Sequence, residues 1–353
     1  DNELQNLRLL ESRYRKNIYD LQDKIGKTYP EQIQKQKLYI ERLRKDIEMA
    51  KENDVEVSMT SQALTVETVE ELSEFDGVST SMLFPLDDAV YPHLKAVGIK
   101  QIAQRSAGYD MYNLDLASAN DLIISNVPSY SPESIAEYTV MVAMALIRRF
   151  EMTRQHVAEH NFTWDPKIRG GVLGDMTVAV IGLGRIGKIA ARLFKGFGCR
   201  VVGYDIDPNN RITDIVEYKE SAEEAVKDAD IVTLHMYPSE LNYHQFNKDM
   251  FAKFKKGAIL MNMARGVLVD TADLLAALDS GHLAGAGIDT YEAEGPYIPK
   301  NWQGKAIEDD LFQRLLTHDK VIYTPHTAFY TDKAIQNLVE EGLNAAKEVI
   351  ETG

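Results

Sequence analysis

Arg265 in MNMARG, Glu294 in GIDTYEAEG and His326 in YTPHTAFY each stand just beyond an apolar, strand-like run, and the spacings between them are 29 and 32 residues. The three types match what hydride transfer to a 2-oxo acid demands. A substrate carboxylate calls for a flat, permanently charged fork, which a guanidinium supplies. The carbonyl oxygen gains negative charge as hydride reaches carbon, so it needs a proton donor, a task suited to imidazole near neutral pH. A carboxylate beside the ring, here Glu294, favours its protonated form. Taken singly, Arg265 and Glu294 also read as surface ion-pair residues, and His326 as a turn residue after Pro325. His235, at another strand end, is read as structural.

The hydride donor has its own signal. Gly182, Gly184 and Gly187 form G-x-G-x-x-G between the strand MTVAVI and the helix KIAARLFKGFG. The first glycine permits the tight turn, the second lets backbone approach a pyrophosphate, and the third lets helix and strand pack closely. The helix start offers N–H groups to phosphate. Asp205 ends the next strand, CRVVGYD, 18 residues past Gly187. A carboxylate there accepts from the adenosine ribose hydroxyls and repels a 2′-phosphate, which favours NAD over NADP.

These residues need a scaffold of parallel strands. From residue 55 onward strand-like and helix-like segments alternate, which argues for α/β architecture. Apolar runs at 229–236, 257–263, 284–291 and 320–326 predict further strands whose carboxyl ends carry the chemistry. Residues 1–54 differ in kind: near-balanced in charge, with Gly26 and Pro30 between two breaker-free stretches. Narrow apolar seams (Leu4, Leu7, Tyr14, Ile18; Ile33, Ile40, Leu43, Ile47) predict a helical hairpin there.

Composition bounds the partners. The chain has 353 residues, 44% of them hydrophobic, and a net charge of -15. That charge argues against nucleic acid and anionic membranes as partners. No apolar run reaches the ~20 residues of a membrane span, and the start lacks the order of a signal peptide. The lone cysteine, Cys199, excludes an intrachain disulfide and clustered-cysteine metal sites, so no metal is expected. The expectation is a soluble cytoplasmic protein.

The segments VIGLGRIGK, LFKGFGCRVVGYD, ADIVTLH, MNMARGVLVDT, GIDTYEAE and TPHTAFYT resemble the D-isomer-specific 2-hydroxyacid dehydrogenase family, and within it the D-lactate dehydrogenase group. The resemblance runs from about residue 55 to the end. It implies a Rossmann-type NAD domain (131–326) inserted into a smaller flavodoxin-like substrate domain (55–130 and 327–353), with the cleft between them and a homodimer as the assembly. It also implies catalytic roles for Arg265, Glu294 and His326. Cofactor contacts are implied at Gly182, Gly184, Arg185, Ile186, Gly187, Asp205, Met236, Tyr237, Asn242, Met263, Ala264, Arg265 and Asp289, the last holding the nicotinamide carboxamide. Substrate contacts are implied at the backbone of Ala107 and Gly108, and at Tyr130, Arg265, His326 and Phe329. The activity expected is NADH-dependent reduction of pyruvate or a related 2-oxo acid. The alternatives are a dehydrogenase of another 2-hydroxy acid and an NAD-binding sensor or corepressor-like module. The chain departs from the family pattern at MYP (236–238), at RSAGYDMYN, and near Ser81, where an aromatic residue is often found. The family's opening β-strand is not recognisable, the hairpin standing in its place.

Overall fold

The computed structural model describes residues 58, 60, 62–82, 84–207 and 211–352. The hairpin expected over residues 1–54 lies outside them. The architecture below belongs to the compact unit Leu64–Gly353.

The first strands, β1 (Gly77–Thr80), β2 (Gln101–Gln104) and β3 (Ile123–Asn126), alternate with α1 (Val90–Ala96) and α2 (Leu114–Ala119). They form a parallel sheet in the order β1-β2-β3, in which β2 is buried at every residue. Among the described residues the outer edge of β1 meets no further strand.

The chain then enters α3 (Pro132–Ile147). Proline at its first position fits a helix start, where its missing N–H costs no bond. Ile135, Ala136, Thr139, Val140, Ala143, Leu146 and Ile147 recur at helical spacing and are buried. The sequence pattern extends this helix to residue 150, but it stops earlier. Arg149 adopts the left-handed region with φ 51°. The N–H of Gly171 takes up the Ile147 carbonyl at 3.2 Å. A new helix, α4 (Phe150–Ala158), follows with no buried residue.

Next come β4 (Thr177–Ile181), α5 (Arg185–Gly196), β5 (Arg200–Tyr204), the short β6 (Glu217–Tyr218), α6 (Ala222–Val226), β7 (Ile231–Leu234), α7 (Lys248–Phe251), β8 (Ala258–Asn262), α8 (Thr271–Asp279), β9 (Leu283–Ile288), α9 (Asp310–Thr317) and β10 (Val321–Tyr323). All seven strands run parallel in the order β10-β9-β8-β7-β4-β5-β6. Val178–Ile181, Ile231–Leu234 and Ala258–Asn262 are buried throughout, as expected of a parallel sheet covered on both faces. Each run expected to be a strand is one, and β6 adds an edge that the sequence pattern did not indicate. The order reverses between β4 and β7, which opens a crevice beyond their carboxyl ends.

The last helix, α10 (Asp332–Thr352), returns to the first sheet, where the Gln101 side-chain amide donates to the Ala345 carbonyl at 3.1 Å. The two crossings between sheets are tied together: Ser131 Oγ meets Ser134 Oγ at 2.7 Å, and Ser134 Oγ meets Thr331 Oγ1 at 2.8 Å. The Asn337 side chain also donates to the Tyr130 carbonyl.

Candidate active site

At the crevice, β4 ends in Gly182, whose φ of +90° is open to glycine and strained for other residues. A side chain there would also meet the His235 carbonyl carbon at 2.7 Å. A Cβ on Gly187 would overlap the Gly182 carbonyl oxygen, whereas one on Gly184 would meet nothing within 4 Å. So the first and third glycines are fixed by packing and the second faces open space, with Arg185 exposed beside it. This is a cradle that fits a dinucleotide pyrophosphate at the start of α5. Ile186 packs into the core beneath. The Asp205 carboxylate holds the loop through the Leu183 N–H and caps the next turn through the Asp207 N–H at 2.8 Å. Arg185 Nη1 reaches back to the Pro128 carbonyl at 3.3 Å.

His235 follows β7 and forms the floor under this loop. Its backbone N–H donates to the Ile181 carbonyl at 2.8 Å, and its Nε2 lies 3.0 Å from Thr233 Oγ1. Burial pushes its pKa down to about 4, so the ring is neutral, in keeping with a structural part. Met236 is half-buried and Tyr237 exposed. Asn242 turns inward: its Oδ1 accepts from Ser239 N–H at 2.7 Å and its Nδ2 donates to the Tyr237 carbonyl at 2.9 Å. Its side chain thus shapes the loop.

Three adjacent strand ends, those of β8, β9 and β10, lead into Arg265, Glu294 and His326. After β8, Met263 is buried, and Asn262 braces the turn by accepting from Ala264 N–H and donating to the Arg265 carbonyl. A Cβ on Gly266 would overlap the backbone of Tyr291 and Glu292. The Arg265 turn is therefore seated directly against the segment that leads to Glu294. After β9, Asp289 is buried, and its carboxylate accepts from the Thr324 hydroxyl and from the N–H groups of Thr327 and Ala328, each N–H at 2.9 Å. Burial raises its pKa despite those donors. It thus anchors the turn that bears His326.

His326 itself has φ 53°, an uncommon conformation that the Asp289 contacts over-determine. Its Nδ1 lies 2.7 Å from Glu294 Oε1, and Glu294 Oε2 accepts from the Tyr291 N–H at 3.0 Å. With the carboxylate accepting at Nδ1, Nε2 is the ring nitrogen left outside this pair. Phe329 stands edge-on to His326 at 6.3 Å between centroids and edge-on to Tyr130 at 6.1 Å. Burial raises the Tyr130 phenol pKa, an effect that the nearby Arg265 charge opposes and the Asp289 charge reinforces. That places the phenol within reach of both fields.

The turn after β2 meets Arg265 from the other side. The Ala107 and Gly108 carbonyls are held by Asn126 Nδ2 at 2.8 Å and Ser106 Oγ at 2.6 Å. Among the described residues no protein acceptor meets either N–H. Three features here carried no signal in the sequence. A Cβ on Gly108 would overlap Arg265 Nη2. Asp110 pairs with Arg265 at 3.3 Å. Phe84, three residues past the expected aromatic position at Ser81, packs over Gly295 beside Glu294.

Comparisons with known proteins identify the family. Residues 140–328 match the family described as D-isomer specific 2-hydroxyacid dehydrogenase, NAD binding domain. A D-lactate dehydrogenase of Streptococcus pyogenes serotype M1 is 62% identical over 304 residues, covering 86% of this chain and 92% of the relative. Among solved structures, a D-lactate dehydrogenase of Treponema pallidum superposes with a TM-score of 0.78 at 38% identity, over 88% of this chain and 94% of the other. The NAD-complexed D-isomer specific 2-hydroxyacid dehydrogenase of Lactobacillus delbrueckii ssp. bulgaricus gives 0.75 at 35% identity, over 88% and 95%. The glycine cradle and the histidine–glutamate pair therefore sit in a known lineage: the chain belongs to the D-isomer specific 2-hydroxyacid dehydrogenases and uses NAD.

Proposed function

We propose that the protein is a D-lactate dehydrogenase, reducing pyruvate to D-lactate with NADH and running in reverse with NAD. The observation that carries this reading is the His326 Nδ1–Glu294 Oε1 contact of 2.7 Å on strand ends adjacent to that of Arg265. The Arg265 fork and the Ala107 and Gly108 N–H groups bind the substrate carboxylate. That fixes the carbonyl carbon, so that little further ordering is required to reach the transition state. His326 Nε2 donates its proton to the carbonyl oxygen as charge develops there, and Glu294 stabilises and aims the ring. NADH, when bound, supplies the hydride. Gly182, Gly184, Arg185, Ile186 and Gly187 hold its pyrophosphate, and Asp205 its adenosine ribose. Met236, Tyr237, Met263 and Ala264 flank the cofactor, while Asn242 acts through the loop it shapes. Asp289 takes the nicotinamide carboxamide on the side of its carboxylate not used by Thr324 and Thr327. Tyr130 and Phe329 wall off water.

The two sheets are the cores of two domains, residues 55–130 with 327–353 and residues 131–326, hinged at the tied crossings near Ser131 and Thr331. The assembly is a homodimer: Met141, Phe150, Val157, Phe162, Trp164 and Val172 are all exposed within one stretch, Trp164 at 97%. A soluble, cytoplasmic setting fits a single buried cysteine and a nicotinamide reaction; among the described residues no helix is long and apolar enough to cross a membrane.

Loss of NADH absorbance with pyruvate, phenylpyruvate and 2-oxoisocaproate tests the reading. Pyruvate is expected to give the highest kcat/KM, and His326→Gln to lower kcat by about 10²- to 10⁴-fold while NADH still binds. No turnover of any of the three by the wild type rejects it.

A further inference from the structure

Arg265 carries five N–H donors, and the structure shows how three are used. Nε and Nη2 face the Asp110 carboxylate at 3.3–3.4 Å. Nη1 donates to the carbonyl of Ala264 at 2.9 Å. What is left is one N–H on Nη1 and one on Nη2, the pair that points straight out along the guanidinium axis. That is the edge that grips a carboxylate through two parallel bonds. Asp110 stands 155 residues from Arg265 in the chain and comes from the opposite sheet's loop. The adjacent Tyr109 ring packs against Tyr237 at 5.6 Å between centroids, a second contact between this loop and the turn after β7. Gly108, with no side chain, lets the guanidinium lie against the same turn.

We propose that Asp110 is a positioning residue, which holds the side edge of the Arg265 fork so that its end-on edge faces the carboxylate of the incoming 2-oxo acid. This rests on the reading of Arg265 as the substrate clamp. The contact is longer than the 2.7–2.9 Å typical of a tight charge-assisted pair, and both side chains are partly exposed, at 27% and 34%. It therefore aligns the guanidinium without neutralising its pull on a second carboxylate. A rival role can be told apart by sign. If Asp110 merely repelled the anionic substrate, removing its charge would lower KM for pyruvate; if it orients the fork, removal raises KM.

The experiment is steady-state kinetics on the full chain, with NADH affinity read separately by fluorescence. Asp110→Ala is expected to raise KM for pyruvate about tenfold, with a smaller fall in kcat and an NADH Kd within about twofold of wild type. Asp110→Asn, which keeps an acceptor for the guanidinium, is expected to recover most of that loss. In an Arg265→Lys background, where no planar fork exists to orient, Asp110→Ala is expected to change KM by less than about twofold. Should the alanine variant lose its fold, Asp110→Asn decides alone, through a rise in KM of about two- to fivefold. An unchanged or lowered KM in the folded variants overturns the proposal, as does an equal loss in the lysine background. An active wild type with an indifferent Asp110 removes this inference alone. A wild type that reduces none of the oxo acids removes the reading of the site and this inference with it.

Discussion

At the scale of single residues, Gly108 shows how tightly the clamp is fitted. Any side chain there overlaps Arg265 Nη2 and would come within 2.9 Å of Asp110 Oδ1. Gly108→Ala is therefore expected to displace the guanidinium and lower kcat/KM for pyruvate by about 10²-fold, with NADH binding intact, since misplacing a positioned group by about 1 Å costs on that order. Stopped-flow or steady-state kinetics with a parallel NADH titration checks both halves. Asp205 makes a different kind of contribution: its carboxylate holds the glycine loop, and the proposed site gives it the adenosine ribose as well. Asp205→Ala should weaken NADH by about tenfold or more and narrow the preference over NADPH, through loss of ribose bonds and of repulsion against a 2′-phosphate. Fluorescence titration with the two nucleotides reads it, and equal NADH affinity in the variant would remove the assignment.

At the scale of elements, the turn after β7 ties stability to pH. His235 has an ordinary value of 6.5, and in the folded protein it is pushed down to about 4 by burial. Between those values the unfolded chain takes up a proton that the folded chain refuses. Its contribution is thus complete above about pH 6.5 and is lost as pH falls towards about 4, by up to about 3 kcal/mol. His235→Asn should show a shallower fall in Tm than wild type between pH 7 and pH 4.5, measured by calorimetry at matched ionic strength. The elements themselves were largely legible from the chain. Residues 178–181 and 258–261 are uninterrupted apolar runs, each with a glycine at one end, and such runs report a two-faced parallel strand locally. The strand-end location of Arg265, Glu294 and His326 was legible for the same reason. Asp110, by contrast, announces nothing: its meaning comes from a partner 155 residues away, and no local pattern encodes that meeting. The break after Ile147 was equally hidden, since helix-forming residues continue through it and the stop is imposed by Gly171 and the left-handed Arg149. Asn242 is read from the sequence as a cofactor contact, and in the structure its amide also shapes its own loop.

For the molecule as a whole, the exposed apolar side chains of 141–172 and the return of α10 to the first sheet set its behaviour. The proposed dimer predicts that Trp164→Glu lowers the mass seen by light scattering towards that of one chain, because a charge placed in an apolar contact must be desolvated. An unchanged mass, with Phe162→Glu equally silent, would move the interface elsewhere. The α10 contact has a further consequence for how the protein is made. Gln101 and Ala345, joined by a hydrogen bond, are separated by 244 residues. At about 5–20 residues per second on the ribosome, the first sheet waits roughly 10–50 s for the helix that covers it. During that interval the nucleotide-binding half can fold on its own short-range contacts while an oily, uncovered sheet trails from the nascent chain. Yield in cells should therefore be limited by chaperone capture of this early segment rather than by the stability of the finished enzyme.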